Sequence, residues 1–260
     1  MREVIGNMIQ HRDLIVSFVR RDIKARYKQT ALGVAWSLIQ PLSMMIVFTL
    51  VFSIFARVPS DGIPYPVFAY SALIFWTFFS NTVSLGTVAM VSNGVLIRKI
   101  YFPRETLLVS VILSGLLDLA VASFLFIGML LYYKVALTLT ALWIFPLLLL
   151  QITLAFGVTS LTSAAHVNFR DVGHGLPLFL QLWMFATPVA YPIGVIPDWL
   201  RPFYLLNPMA AIIDGYRRVV ILGVAPEVPA LALSATVTIV LTYVALAVFK
   251  RAERTFADVI

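Results

Sequence analysis

Long apolar runs separated by short polar islands dominate the chain, and their lengths predict helices before any other property is weighed. Runs at about 33–55, 67–91, 106–133, 141–165, 175–191 and 230–249 are near the length that crosses a bilayer, and they lack the ten-residue alternation of an outer-membrane strand. They predict an all-α, polytopic integral membrane protein with six transmembrane helices. Trp36 marks the start of the first run at interface depth, and Gln40-Pro41 predicts a kink one to two turns in. A tight turn around 134–138 makes a hairpin of the third and fourth runs, and the fifth ends in TPVAYP.

Two segments depart from this pattern. From 14 to 28 it turns amphipathic: Leu14, Ile15, Phe18, Val19, Ile23 and Tyr27 fall on one side of a helix, and Arg20, Arg21, Lys24 and Lys28 on the other. Such a helix lies in the membrane surface, as an anchor or as an interface. Asp22 and Arg26 land on the apolar side, four apart with the acid first, the order that favours an ion pair with each other or with a neighbour. Residues 192–229 are too apolar for an exposed loop, yet Pro197, Pro202 and Pro208 break them into pieces, and Asp214, Arg217 and Arg218 would be costly in lipid. Two short re-entrant or interfacial helices packed on protein satisfy both constraints.

Composition agrees. Of 260 residues, 61% are hydrophobic and only 12% charged, about half the charge of a soluble domain. The net charge of +7 matters through its distribution. Arg2, Arg12, the cations of 20–28, Arg98, Lys99, Arg104, Arg170, Lys250, Arg251 and Arg254 fall on one side of a six-span topology, against Arg57, Lys134, Arg201, Arg217 and Arg218 on the other. That asymmetry puts both termini in the cytoplasm and Asp61, Lys134 and Trp199 outside. No nucleic-acid partner is implied. The first residues hold no apolar core followed by a small-residue cleavage site, so no cleaved signal peptide is expected. The absence of cysteine excludes a disulfide framework and thiolate metal ligation.

No catalytic centre is legible. The three histidines lack metal-ligand spacing with a carboxylate, so no metal site is expected, and no Lys follows a Gly as a phosphate-binding loop requires. If ATP drives this protein, another chain binds it. Asp118 is the one acid well inside a run, and Ser110, Ser114, Asp118 and Ala122 recur every fourth residue as a small, polar stripe facing protein or water. Aromatic residues cluster at Phe68, Phe75, Trp76, Phe78 and Phe79 and again at Trp183, Phe185, Tyr191, Trp199, Phe203 and Tyr204, where they serve either as packing and interface belts or as stacking faces for sugar rings. Between the second and third runs, NGVLIRKIYFPRE (93–105) is basic and apolar at once, either a topogenic loop or a docking surface. There is no convincing internal repeat of the inverted kind that many secondary transporters carry.

Taken together, RRDIKARYKQTALGVAWSLIQPL (20–42), LIRKIYFPRE (96–105), NFRDV (168–172), LNPMAAIIDGYR (206–217) and the tail FKRAERTFADVI resemble the permease subunit of ABC-2 type exporters, in particular polysaccharide exporters of O-antigen, capsule and teichoic acid. The resemblance covers nearly the whole chain. It implies one transmembrane domain over 1–260, acting as a homodimer in the bacterial cytoplasmic membrane, with a channel for a lipid-linked glycan between protomers. The chain is then a transport subunit and not an enzyme, with no cofactor of its own; ATP and Mg are bound by a separate nucleotide-binding ATPase. Residues 1–32 correspond to a cytoplasmic interface helix carrying Arg20, Arg21, Asp22, Lys24, Arg26 and Tyr27. Arg98, Lys99, Ile100, Tyr101, Phe102, Pro103, Arg104 and Glu105 look like the ATPase-coupling segment, with a coupling helix at 100–105. Phe75, Trp76, Phe79, Asp118, Trp183 and Tyr191 would face the channel, and Trp199, Phe203, Tyr204, Asp214, Tyr216 and Arg217 an external gate within 192–229, ahead of a cytoplasmic tail at 250–260. An ABC-2 exporter of drugs or lipids is the alternative, and a membrane glycosyl transferase would need an acidic metal-binding cluster.

Overall fold

The computed structural model describes residues 6, 10–28, 30, 32–60 and 62–259, and every regular element among them is helical. Arg2 and Asp61, used in the topology expectation, lie outside the described residues. Helix α1 is Arg12–Tyr27. A 3₁₀ turn at Gly33–Ala35 leads into α2, Trp36–Phe48, which widens into a π-helical stretch at Thr49–Phe55. The helix continues through Pro41, so the irregularity falls at 49–55 and not at the proline.

Helix α3 is Tyr65–Ser92, α4 is Gly94–Lys99 and α5 is Glu105–Tyr132. Lys134 takes a left-handed φ of 56° in the turn that follows, and a 3₁₀ segment at Leu139–Trp143 opens α6, Ile144–Asn168. Then come α7 (Asp171–Phe185), α8 (Arg201–Leu205) and α9 (Pro208–Arg217). A π-helical turn at Arg218–Leu222 ends α9 on Gly223, whose φ of 66° costs glycine little. Helix α10 (Val228–Ala252) and the single turn α11 (Phe256–Val259) complete the chain.

Among the described residues five segments are long and apolar enough to cross a membrane: Gly33–Phe55, Tyr65–Ser92, Glu105–Tyr132, Leu139–Asn168 and Val228–Ala252. The expected span at 175–191 is different. Its helix, α7, starts earlier and has 15 residues, about 22 Å against a hydrocarbon core of about 30 Å. Residues 186–191 form turns, because Pro188 and Pro192 lack amide donors and disfavour helical backbone in the residues before them.

Helix α3 is the centre of the bundle. It packs on α6, α5, α2, α9 and α7, while α10 closes against α6. In its most apolar window 61% of α3 is buried, against 11% for the first span, so α3 forms core and the first span presents its side chains outward. The main core draws on α3, α5, α6, α7 and α9. A second, smaller cluster joins Phe18 of α1, Met90, Ile97 of α4, Phe102, Leu107, Val167, Phe249 of α10 and Phe256 of α11. The helix ends that flank Arg98, Lys99, Arg104, Lys250 and Arg251 therefore meet at one end of the bundle.

Helix α1 does not stand alone at the surface but lies along α5. Asp22 and Arg26 do not pair with each other. Asp22 pairs with Arg21 at 2.9 Å and accepts from Ser110 Oγ at 3.1 Å, while Arg26 pairs with Asp118 and reaches Ser114 Oγ at 3.4 Å. The part of the polar stripe from Ser110 to Asp118 is thus the seat of α1, with Asp22 on Ser110 and Arg26 on Ser114 and Asp118.

Candidate coupling and gate sites

At the basic end, the helical turn expected at 100–105 lies earlier, at Gly94–Lys99, and Ile100 is extended (φ −134°, ψ 134°). This split sends neighbouring side chains in opposite directions. Tyr101 is 92% exposed and Ile100 57%, and Arg98 and Lys99 are exposed beside them. Phe102 turns inward, buried with its ring edge-on to Phe18 of α1 at 5.7 Å. Pro103 is half-buried. The Arg104 guanidinium pairs with Glu253 at 3.4 Å, and the fully buried Glu105 accepts from Lys250 Nζ at 2.8 Å. Lys250 also holds Glu253 at 3.0 Å, so a four-residue ionic chain ties the first turn of α5 to the last turn of α10.

On α1, Arg20, Arg21 and Lys24 are exposed, with Arg21 donating to Asn93 Oδ1 at 2.8 Å at the end of α3. Arg26 and Tyr27 both donate to Asp118. Burial, then the Asp118 carboxylate, pushes the Tyr27 phenol up to about 12, so it remains a donor at neutral pH. These groups border a cavity of about 350 Å³ that Gln40, Asn81, Trp36 and Gly115 also line. Asp118 thus serves a joint between α1 and α5, with its cavity between α2, α3 and α5.

The aromatic candidates divide. Phe75, Trp76 and Phe79 are buried. Phe75 stacks on Tyr216 of α9 with centroids 3.5 Å apart and planes at 5°, which joins a residue expected at the channel to one expected at the gate. Trp183 meets Phe79 edge-on at 5.2 Å and Trp76 at 6.2 Å. Trp76 also borders a shallow groove of about 280 Å³ between α2, α3 and α7, where Gln40, Ser80, Asn81, Ser84 and Gln181 supply amides and hydroxyls.

Around 186–217, Asn207 caps α9 by accepting from the Met209 amide at 3.1 Å, accepts from Trp183 Nε1 at 2.9 Å, and donates to Ala186 O and Thr187 Oγ1. Tyr191 shares a hydrogen bond with Tyr204. Arg217 is buried; its guanidinium donates to the carbonyls of Pro188, Val189 and Tyr191 and lies 3.7 Å over the Phe68 ring. A planar fork of donors meeting fixed carbonyls and an aromatic face is how a cation is held so deep. Asp214 lies 4.0 Å from Arg218, which also pairs with Glu227 at 2.9 Å. Trp199 and Phe203 remain 71% and 68% exposed. At the start of α9 Pro208 accepts from Ser234, nearly two turns into α10, whereas Val219 in the π-helical turn after α9 accepts from Thr140 before the start of α6.

Sequence reasoning missed Gln151, buried in α6, whose Nε2 donates to Phe75 O at 2.7 Å and whose Oε1 accepts from Tyr216 at 2.9 Å. Its signal was available: a lone amide in LLLLQITLAFG needs partners when no water is near. Glu253 and Asn207 were missed too, and nothing local points to their partners. Among the described residues no cluster of three or more metal-ligating side chains occurs.

A bundle of lipid-length helices whose polar side chains serve joints between helices defines a multi-pass membrane protein. The chain belongs to the ABC-2 type transporter family, whose model matches residues 13–221. It is 31% identical, over 99% of both chains, to the O-antigen export system permease protein RfbA of Myxococcus xanthus. It is 28% identical to the protein of the same name from Klebsiella pneumoniae over 95% of both chains, and 23% identical to the polysialic acid transport protein KpsM of Escherichia coli over 90% of this chain and 91% of that one.

Proposed function

We propose that this chain is the permease subunit of an ATP-binding cassette exporter that moves a lipid-linked polysaccharide across the bacterial cytoplasmic membrane. The observation that carries the reading is end-to-end similarity, without large gaps in coverage, to a protein named for O-antigen export. In this reading two copies form the transporter, and each docks a separate ATPase that binds ATP and Mg. Both termini, the 93–105 segment and the α10 end are cytoplasmic. A sixth crossing is made by α7 together with the turns after it. Helices α8 and α9 dip into the membrane from the outer face, a reading supported by Pro208 beside Ser234 and Val219 beside Thr140.

Exposed Ile100 and Tyr101 are the docking anchors, and Arg98 and Lys99 their charged rim. Phe102, Arg104 and Glu105 pass the push inward, to α1 and to α10. The groove between α2, α3 and α7 suits a sugar chain, because its amides and hydroxyls can bond to glycan hydroxyls. The test is deletion of the gene in its source bacterium. Surface glycan should disappear, lipid-linked glycan should accumulate inside, and the wild-type chain should restore export. Unchanged surface glycan with lost efflux of small amphiphiles would replace this reading with a drug or lipid exporter.

A further inference from the structure

One cavity lies at the basic end of the bundle. It is a groove of about 740 Å³ lined by His11 at the start of α1, Tyr101, Pro103 and Arg104 of the loop before α5, and Lys250, Glu253 and Arg254 at the end of α10. Three separate parts of the chain build it. Its walls are held in register by the ionic chain already described, since Glu253 is gripped by Arg104 on one side and Lys250 on the other. A groove fixed in this way is preorganised, which lowers the ordering cost of binding.

We propose that the carboxyl-terminal end of the chain is part of the ATPase-docking surface, and that the partner ATPase seats a carboxylate-bearing segment in this groove against Arg254, with Tyr101 as the adjoining apolar anchor. The inference rests on the permease reading above and deepens it. Continuity is the first argument. Tyr101, the exposed tip of the docking loop, and the half-buried Pro103 are themselves lining residues of the groove, so a partner that covers the tip also covers the residues from α10.

Charge is the second argument. Arg254 is exposed and makes no ion pair among the described residues, whereas Arg104 and Lys250 are already matched to Glu253 and Glu105. Among the described residues the groove therefore offers a cation with no opposite charge paired to it, beside an exposed aromatic ring. With Arg98 and Lys99 exposed on the turn just before the loop, the matching surface is acidic. Mechanical sense follows from the same contacts. A partner gripping Tyr101 and Arg254 together loads α5 and α10 at once, and these two helices are already tied by Lys250 and Glu105.

Because the chain has no cysteine, single cysteines report on this surface directly. Tyr101→Cys and Arg254→Cys variants, in membranes containing the co-expressed nucleotide-binding subunit, would be treated with a short thiol-anchored photocrosslinker. The product would be identified by mass spectrometry and by photolabelling with an azido analogue of ATP. Crosslinking from both positions supports the groove. Crosslinking from position 101 alone overturns this inference and leaves the permease reading standing, whereas none from either position overturns both. In parallel, Arg254→Glu should cut retention of the ATPase during purification by about tenfold or more, since like charges are then brought together, and Arg254→Lys should restore most of it. Equal retention by the wild type and Arg254→Glu would also overturn the proposal.

Discussion

The 93–105 island and the 192–222 segment are both short, proline-broken mixtures of charge and aromatic residues, yet the fold uses them in opposite ways. The island keeps a face to water: Ile100 and Tyr101 project outward while Phe102 and Glu105 point in. In the other segment, α9 is buried along most of its length, including Tyr216 and Arg217. Their charges are also settled differently. Arg104 and Glu105 meet opposite charges on α10, whereas Arg217 meets backbone carbonyls and a phenyl ring. The lesson is that a charge next to an apolar run does not reveal its partner. A helix end at the membrane edge can find ions, while a residue deep in the bundle must use the dipoles that turns leave unpaired.

The strongest way to break this comparison is Arg217→Met. It leaves the carbonyls of Pro188, Val189 and Tyr191 without their donor, and the loss should be on the order of 3 kcal/mol, read as poor accumulation in the membrane and a lowered melting temperature in detergent. An unchanged melting curve would mean that the turns at 186–191 do not depend on this residue. At the opposite end, Glu105→Gln should cost roughly 2 kcal/mol by the same measurement. That is less than for a wholly buried pair, because the Lys250 side chain is 36% exposed and keeps part of its hydration.

Tyr216→Phe is a finer probe. It removes one donor to Gln151 and keeps the stack on Phe75, so about 1 kcal/mol is expected. A much larger loss would place more weight on the Gln151 link than on the stack. Tyr101→Ala should have the smallest effect on stability, within about 0.5 kcal/mol, because the ring is exposed. Its cost should fall on ATPase retention instead, by roughly thirtyfold or more if it is an interface anchor. Loss of the permease itself in that variant would show that the island serves folding as the 192–222 segment does.

Much of the fold was legible because lipid makes helix formation a local matter: an apolar run must satisfy its own backbone hydrogen bonds. The run at 33–55 matches Gly33–Phe55 and that at 106–133 lies within a residue of Glu105–Tyr132. Over 175–191 the helix ends at Phe185, because the prolines of TPVAYP stop it while apolarity continues. Within the candidate sites, the sequence marked the right segments but not the direction of each side chain. Tyr101 and Phe102 are adjacent and chemically alike, and only the extended backbone at Ile100 and the presence of Phe18 separate an exposed ring from a buried one.

By itself, then, the sequence determined the helices, the crowding of basic residues toward one side, and the small, polar stripe on α5, since each depends on residues within a few turns of one another. Only the tertiary structure decided what the stripe was for. Arg26 and Asp118 are 92 residues apart, and Arg104 and Glu253 are 149 apart. An ion pair has no sequence period, so its members become partners only when α1 settles on α5 and α10 closes beside them, where leaving any one of these charges alone would cost more than pairing it.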